Sequence, residues 1–245
     1  MINNELFVVL DSVDSTNNYA MAQIRQGLAK DGMIYFAKKQ TKGKGQRGKI
    51  WQSVAGENIA MSLVVAMDNV KIEQQFELNM VVSLVVQSFF KKYDGENTKI
   101  KWPNDIYWRD RKAGGILIEN IISGTSWKWA VIGIGLNINQ EDFEPVLKNP
   151  VSLKLIAQKN FDVEVLAKEL HRQLLINIAG YKNGEMGNLL NEYNANLFKK
   201  DERVKLKKGN VVFETTIKGV TPLGVLQTAD VMEREFTFGE VEWVL

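Results

Sequence analysis

Residues 99–120 read KIKWPNDIYWRDRKAGGILIEN. The pattern is a strand, a turn, a second short strand, a hairpin bend and a third strand. Ile100, Trp102 and Ile116-Leu117-Ile118 are its apolar positions, and Pro103-Asn104-Asp105 and Asp110-Arg111-Lys112 its polar punctuation. Pro103 removes a backbone donor and pushes Trp102 toward an extended conformation, which predicts Lys101 and Asn104 displayed on a rigid edge. Gly114-Gly115 leaves room for another molecule, or another backbone, to lie close to the chain just after Lys112. Taken alone, the stretch reads most simply as a charged hairpin; its company changes the balance.

Upstream, residues 6–10 form a short apolar run, followed by Asp14-Ser15-Thr16-Asn17 and a helical pattern over 19–28. Ser15 or Thr16 is a candidate N-cap, its hydroxyl accepting from an orphan N–H of the first turn. Hydroxyls and exposed amides at a helix start also suit a polar ligand, and the two readings are compatible. A strand over 33–38 runs into Gln40 and the loop GKGQRGKIW at 43–51, where glycines alternate with lysine and arginine. Such a loop can bring backbone N–H groups and cationic side chains onto one phosphate, or form a solvated basic surface that touches nucleic acid nonspecifically. It is not a Walker A loop, because the segment after it, 58–67, reads as a buried strand rather than a helix.

The chain is 245 residues long, enough for one large domain with a small appendage. A 45% hydrophobic and 24% charged composition is that of a globular protein, and a net charge of +2 makes any anion site local. With no cysteine, disulfides, thiolate catalysis and cysteine zinc sites are excluded. The N-terminus has no signal-peptide pattern and no apolar window is long enough to span a bilayer, so a cytoplasmic protein is expected. One histidine, His171, makes histidine-rich metal sites untenable and weakens any Ser-His-Asp arrangement.

Residues 71–93 form a long helix with an apolar stripe through Phe76, Met80, Leu84 and Phe89. In the strand over 131–138, Gly133 and Gly135 strip one face of side chains, so that a flat ligand could lie against it. Helices follow at 152–157, from Asp162 onward with Val165, Leu166, Leu170, Leu174 and Ile178 on one face, and at 186–197. From Asp201 the texture changes to five short alternating runs, the size of an SH3-like barrel. The expected domains are 1–198 and 199–245.

Four polar clusters, Asp14-Ser15-Thr16-Asn17, GKGQRGKIW, KWPND with DRKAGGIL, and GIGLNIN, stand in this order along the chain. In order and spacing they resemble the biotin protein ligase family over nearly the whole sequence. The resemblance implies an α+β fold, a mixed sheet flanked by helices as in class II aminoacyl-tRNA synthetases, with a small SH3-like C-terminal β-barrel. Because the chain begins directly at the catalytic domain, it looks like the monofunctional kind, without the N-terminal DNA-binding domain.

The implied activity is ATP-dependent biotin–[acetyl-CoA-carboxylase] ligation: activation of biotin to biotinyl-5′-AMP, then transfer to a lysine of a biotin carboxyl carrier protein. The substrates are biotin and ATP with Mg²⁺; no nucleic acid or membrane is involved, and a homodimer is compatible with the resemblance. By the family motif Lys112 lies between the biotin carbonyl and the adenylate phosphate. Ser15, Thr16, Asn17 and Gln40 match positions that line the biotin pocket, with Gly43, Lys44, Gly45, Gln46 and Gly115 at close approach and Trp51 packing over it. Arg47, Lys49 and Lys101 would hold phosphates, Asn104 and Asn137 would face the adenine, and Asp105 would help hold Mg²⁺. One departure stands out: many members of the family carry arginine where this chain has Gln46, so the adenylate is expected to be held less tightly. The competing readings are a lipoate–protein ligase of the same superfamily, and a noncatalytic nucleic-acid-binding protein using the basic loop and barrel. The low net charge argues against the latter.

Overall fold

The computed structural model describes residues 4–145, 147 and 149–244. The outer limits of the two expected domains, residues 1 and 245, lie outside them. Around the KWPND segment the chain folds as read: β4 (Thr98–Lys101), β5 (Asp105–Trp108) and β6 (Arg111–Ser123) are successive antiparallel strands, and the turn between the first two contains a cis Trp102–Pro103 bond. They complete a sheet begun by β1 (Phe7–Leu10), β2 (Ile34–Ala37) and β3 (Asn58–Ala66) and bridged by β7 (Ser126–Asn137). The strand order is β1-β2-β3-β7-β6-β5-β4, with β1 and β2 parallel and all other neighbours antiparallel. β3 reads as an almost continuous apolar run because both of its faces are covered.

The main core lies on one face of this sheet, where Ile59, Met61, Leu63 and Ile132 meet α2 (Gln75–Asp94) and α4 (Val163–Lys182). α3 (Leu153–Ala157) and α5 (Leu189–Ala195) pack against α2. A smaller cluster on the opposite face joins Val64 and Val131 to Ala20 of α1 (Thr16–Arg25). Asp162 caps α4 by accepting from the Val165 amide. Val165 itself is 59% exposed, so the stripe expected on this helix shifts, its buried members being Val163, Leu166, Ala167, Leu170, Leu174 and Ile178. Ser15 occupies the N-cap position of α1, but its hydroxyl caps nothing. Gln40 does the work instead, its Oε1 accepting from the Thr16 amide at 2.8 Å and from the Thr16 hydroxyl at 3.1 Å.

All five expected C-terminal strands are present: β8 (Arg203–Lys208), β9 (Val211–Val220), β10 (Leu226–Ala229), β11 (Glu233–Phe236) and β12 (Glu242–Val244). They form a wholly antiparallel sheet ordered β11-β10-β9-β8-β12, an SH3-like unit with Leu206, Ile217, Val220, Leu226 and Phe236 inside. It is docked firmly. Trp102 donates through Nε1 to the Gly224 carbonyl, and Phe198 packs at a tilt between Tyr107 and Trp243. No helix among the described residues is long and apolar enough to cross a membrane.

His171 lies in the core, fully buried on α4. Its Nε2 donates to the Gly32 carbonyl at 2.8 Å, and its Nδ1 has no partner among the described residues. Burial lowers its pKa, partly opposed by that hydrogen bond, so the folded protein keeps a neutral ring where the unfolded chain takes up a proton. Below the unfolded value of 6.5 the unfolded state binds the extra proton and stability falls with pH until the folded ring titrates. The loss is up to about 1.4 kcal/mol per pH unit in that window. Urea unfolding between pH 7 and 5.5 should show this slope, and His171→Gln should flatten it; an unchanged slope would mean that this ring is not the proton acceptor.

Candidate active site

On the α1 side of the sheet, β6 and β7 present their smallest residues. Gly115 pairs with Gly135 and Leu117 with Gly133, and all four line a cavity of about 820 Å³. The glycine-bearing face is not bare, as a flat-ligand reading expects, but already covered by the protein. A Cβ on Gly133 would lie 2.2 Å from Asn17 Oδ1, and one on Gly135 would lie 2.5 Å from the Trp51 indole. The glycines admit these two side chains to the strand surface.

The helix-start cluster forms one wall. Ser15, Thr16 and Asn17 line the cavity together with Gln40 and are almost wholly buried. Ser62 on β3 links them, its Oγ lying 2.7 Å from Thr16 Oγ1 and 2.6 Å from Asn17 Oδ1. Asn17 also donates through Nδ2 to Glu119 Oε2 at 2.8 Å. Thr16, Asn17, Ser62 and Gln40 are thereby linked to one another, which fixes side chains that would otherwise lose binding energy to rotamer freedom.

The glycine loop forms a second wall by folding on itself. Gly45 N donates to Lys49 O at 2.7 Å, Lys49 N to Gln46 O at 3.1 Å, and Trp51 N to Gly43 O at 2.9 Å. These three amides are therefore used internally and are not free to face a phosphate, which leaves that part to the loop's cationic side chains. Lys44, Gly45, Gln46, Arg47, Lys49 and Trp51 line the cavity. Gly43 does not: it is buried behind the loop, where a Cβ would sit 2.3 Å from the Trp51 carbonyl oxygen. Arg47 has a left-handed φ of 54° and donates through Nη1 to the Gly239 carbonyl of the C-terminal unit at 3.0 Å.

The KWPND turn and the start of β6 form the third wall, contributing Lys101, Asn104, Asp105, Lys112 and Gly115, with Asn137 entering from the end of β7. The turn is pinned from behind, where the Pro103 carbonyl accepts from Asn79 Nδ2 at 2.9 Å and from the Tyr193 hydroxyl at 2.7 Å. Lys101 and Asn104 are not on an open edge; they are 9% and 3% exposed, Lys101 lying under Trp243 of the C-terminal unit and Asn104 bonded to Ile116 of β6. The Lys101 ammonium donates to the Tyr107 hydroxyl at 3.1 Å and lies 5.4 Å from the Trp243 ring centroid. Burial, reinforced by Asp105, raises the Tyr107 pKa and keeps this acceptor a neutral phenol. Asn104 and Asn137 spend their amide donors on backbone, Asn104 on Ile116 O and Asn137 on Val151 O at 3.1 Å. The Lys112 ammonium is 2.7 Å from Asp105 Oδ1 and 6.0 Å from the Trp51 ring centroid.

Sixteen of the seventeen site residues expected from the sequence thus border one space, Gly43 being the exception. Among the described residues, Lys44, Arg47, Lys49, Lys101 and Lys112 line it with Asp105 and Glu242, and Glu119 sits against Lys44, a net positive balance suited to an anionic ligand. Missed by sequence reasoning were Ser62, Glu119 and the wall made by Phe238, Gly239, Val241, Glu242 and Trp243. Period-two counting from Gly115 through Leu117 would have put Glu119 on the cavity face. Nothing in the spacing of the last strands indicates where their sheet docks. Among the described residues no group of three or more His, Cys, Asp or Glu side chains could hold a metal.

A seven-stranded mixed sheet with flanking helices and a small C-terminal sheet is the fold of the biotin protein ligase from Aquifex aeolicus solved with biotin and ATP. The two superpose with a TM-score of 0.79 at 24% identity, over 96% of this chain and 97% of that one. The chain belongs to the biotin/lipoate A/B protein ligase family, whose pattern matches residues 9–137. It is 34% identical over 169 residues to the bifunctional ligase/repressor BirA of Escherichia coli K12, covering 68% of this chain and 51% of that protein. It is 29% identical over 180 residues to the biotin–[acetyl-CoA-carboxylase] ligase of Mycobacterium tuberculosis, covering 71% and 65%. The chain therefore spans about half the length of the ligase/repressor relative.

Proposed function

We propose that this protein is a biotin–protein ligase, which activates biotin with ATP and transfers it to a lysine of a biotin carboxyl carrier domain. The observation that carries the reading is that the glycine loop and the KWPND/RKAGG hairpins border one cavity, with the Lys112 ammonium inside it. The named relatives above are biotin ligases or a ligase/repressor, which favours biotin over lipoate within the family.

In the first step a biotin carboxylate oxygen bonds to the α-phosphorus of ATP and the bond to pyrophosphate breaks. In the second, the carrier lysine amine bonds to the acyl carbon and AMP leaves. Negative charge develops first on phosphate oxygens and then on the acyl oxygen, and neither step calls for a protein nucleophile. This agrees with a chain lacking cysteine whose one histidine is sealed in the core. Lys112, a compact point charge, serves both centres. The network of Thr16, Asn17 and Gln40, with Ser15 beside it, receives the ureido ring, and Trp51 with Gly115 and Gly135 encloses the bicycle. Arg47, Lys49 and Lys101 face the phosphates, with Arg47 exchanging the Gly239 carbonyl for a phosphate oxygen. A resident Mg²⁺ site does not fit the residues present, since Asp105 is a single carboxylate already paired with Lys112. Mg²⁺ arrives as part of the nucleotide substrate, keeping waters and phosphate oxygens as ligands.

Incubation of the protein with biotin, ATP-Mg²⁺ and a carrier domain should add one biotinyl group to the carrier by mass, with no addition when lipoate replaces biotin. Addition of lipoyl alone, or neither, would overturn the reading. Gln46 borders the cavity without a charge. Replacing a neutral donor by a charge-assisted one predicts that Gln46→Arg slows release of biotinyl-5′-AMP by about fivefold. Dissociation followed by trapping with excess biotin reads this directly, and an unchanged rate would show that the missing arginine causes no deficit.

A further inference from the structure

Glu119 is, among the described residues, the acidic side chain that joins two walls of the cavity. It follows Gly115 and Leu117 on the same face of β6, opposite Val131 of β7. Its Oε2 accepts from Asn17 Nδ2 at 2.8 Å, and its Oε1 accepts from Lys44 Nζ at 2.9 Å. Asn17 belongs to the start of α1 and Lys44 to the glycine loop, so one carboxylate spans segments far apart in the chain. Among the described residues no other acidic side chain is recorded against either of them.

The chemistry of the contact sets an orientation as well as a distance. A carboxylate only accepts, so Asn17 must turn its NH₂ toward Glu119. Its Oδ1 then faces the Ser62 hydroxyl at 2.6 Å, in the space that Gly133 leaves open. Lys44 is bound into the loop by its bridge to Ile50, so holding its ammonium holds the loop over the cavity. We propose that Glu119 is a positioning residue for the proposed ligase reaction, fixing the Asn17 amide and tethering the glycine loop through Lys44. This rests on the biotin-ligase reading for its effect on substrate, but not for its effect on the loop.

The test uses the full chain and the variants Glu119→Gln, Glu119→Ala and Lys44→Met. Glutamine keeps an acceptor for Asn17 and loses the charge facing Lys44, so it should fold as the wild type does. In the ligand-free protein, tryptic cleavage after Arg47 and Lys49 should quicken by about fivefold in Glu119→Gln, the scale of a partly exposed ion pair. Lys44→Met should quicken it similarly, and the double variant no further. In turnover, KM for biotin should rise on the order of tenfold in Glu119→Ala, less in Glu119→Gln, with kcat within about twofold, as expected when only ground-state positioning is lost. Wild-type cleavage and KM in Glu119→Gln, in a protein that does turn over biotin, would overturn the proposal. A wild type that ignores biotin would sink the ligase reading while the cleavage comparison still decides the tether.

Discussion

Lys112→Met should lower adenylate formation by a hundredfold or more, about 3 kcal/mol of transition-state stabilisation, the scale of losing one preorganised donor in a water-poor site. The protein should fold normally. The Lys112 backbone is held independently of its side chain, its N–H donating to Asn149 O at 2.9 Å and its carbonyl accepting from Val151 N at 2.9 Å. The ion pair with Asp105 is about one-third exposed on each side, so its loss costs no more than about 1 kcal/mol of stability. The same point charge is proposed to face the acyl oxygen in the second step, so transfer from preformed biotinyl-5′-AMP should fall as well. Lys112→Arg keeps the charge but replaces a compact ammonium by a planar fork, and should recover only part of the rate. Pyrophosphate release and single-turnover transfer measure the two steps separately. A loss below about fivefold in both, with an unchanged unfolding midpoint, would remove Lys112 from the reaction.

Local chemistry is what the sequence exposes most clearly. Alternation predicts β4, β5 and β6 from 22 residues, and the texture after Asp201 predicts all five strands of the second sheet. The cations and glycines that border the cavity stand out for the same reason: few local structures call for such residues together. What stays hidden depends on contacts between distant segments. The N-cap of α1 comes from Gln40, 24 residues away from Thr16, in place of the Ser15 hydroxyl. Lys101 reads as an edge lysine because Pro103 stiffens the chain beside it, and β4 is indeed the last strand of its sheet, yet Trp243 from the C-terminal unit closes over it. Period-two patterning tells which side chains share a face of a small sheet, but not which loop that sheet leans on, so Phe238 and Gly239 gave no sign of reaching the cavity. The glycines of β7 were legible as a bare strip; that Asn17 and Trp51 occupy the strip was not.

That occupancy leads to the second large effect. Gly133 and Gly135 lie on the same face of β7, two residues apart, and adding one methyl to each should have unequal consequences. At Gly135 the new Cβ meets the Trp51 indole at 2.5 Å, but Trp51 is part of a loop and its Nε1 has no partner among the described residues. The ring can swing away at little cost. At Gly133 the Cβ meets Asn17 Oδ1 at 2.2 Å, and Asn17 has nowhere to go. Its amide is bound by Ser62 on one side and Glu119 on the other, and the residue is 3% exposed. Moving it strands buried polar partners, which costs about 1–3 kcal/mol of stability, and on the proposed reading it also disorders the wall that receives the ureido ring. Gly133→Ala should therefore lower the unfolding free energy by that amount and raise KM for biotin by on the order of a hundredfold, if about 3 kcal/mol of binding is lost. Gly135→Ala should leave stability within about 0.5 kcal/mol. Adding Asn17→Ala to Gly133→Ala removes the colliding atoms but leaves the same partners unmet, so the two stability losses should be clearly less than additive and biotin affinity should not return. If Gly133→Ala alone bound biotin as the wild type does, Asn17 would not belong to the wall that receives it.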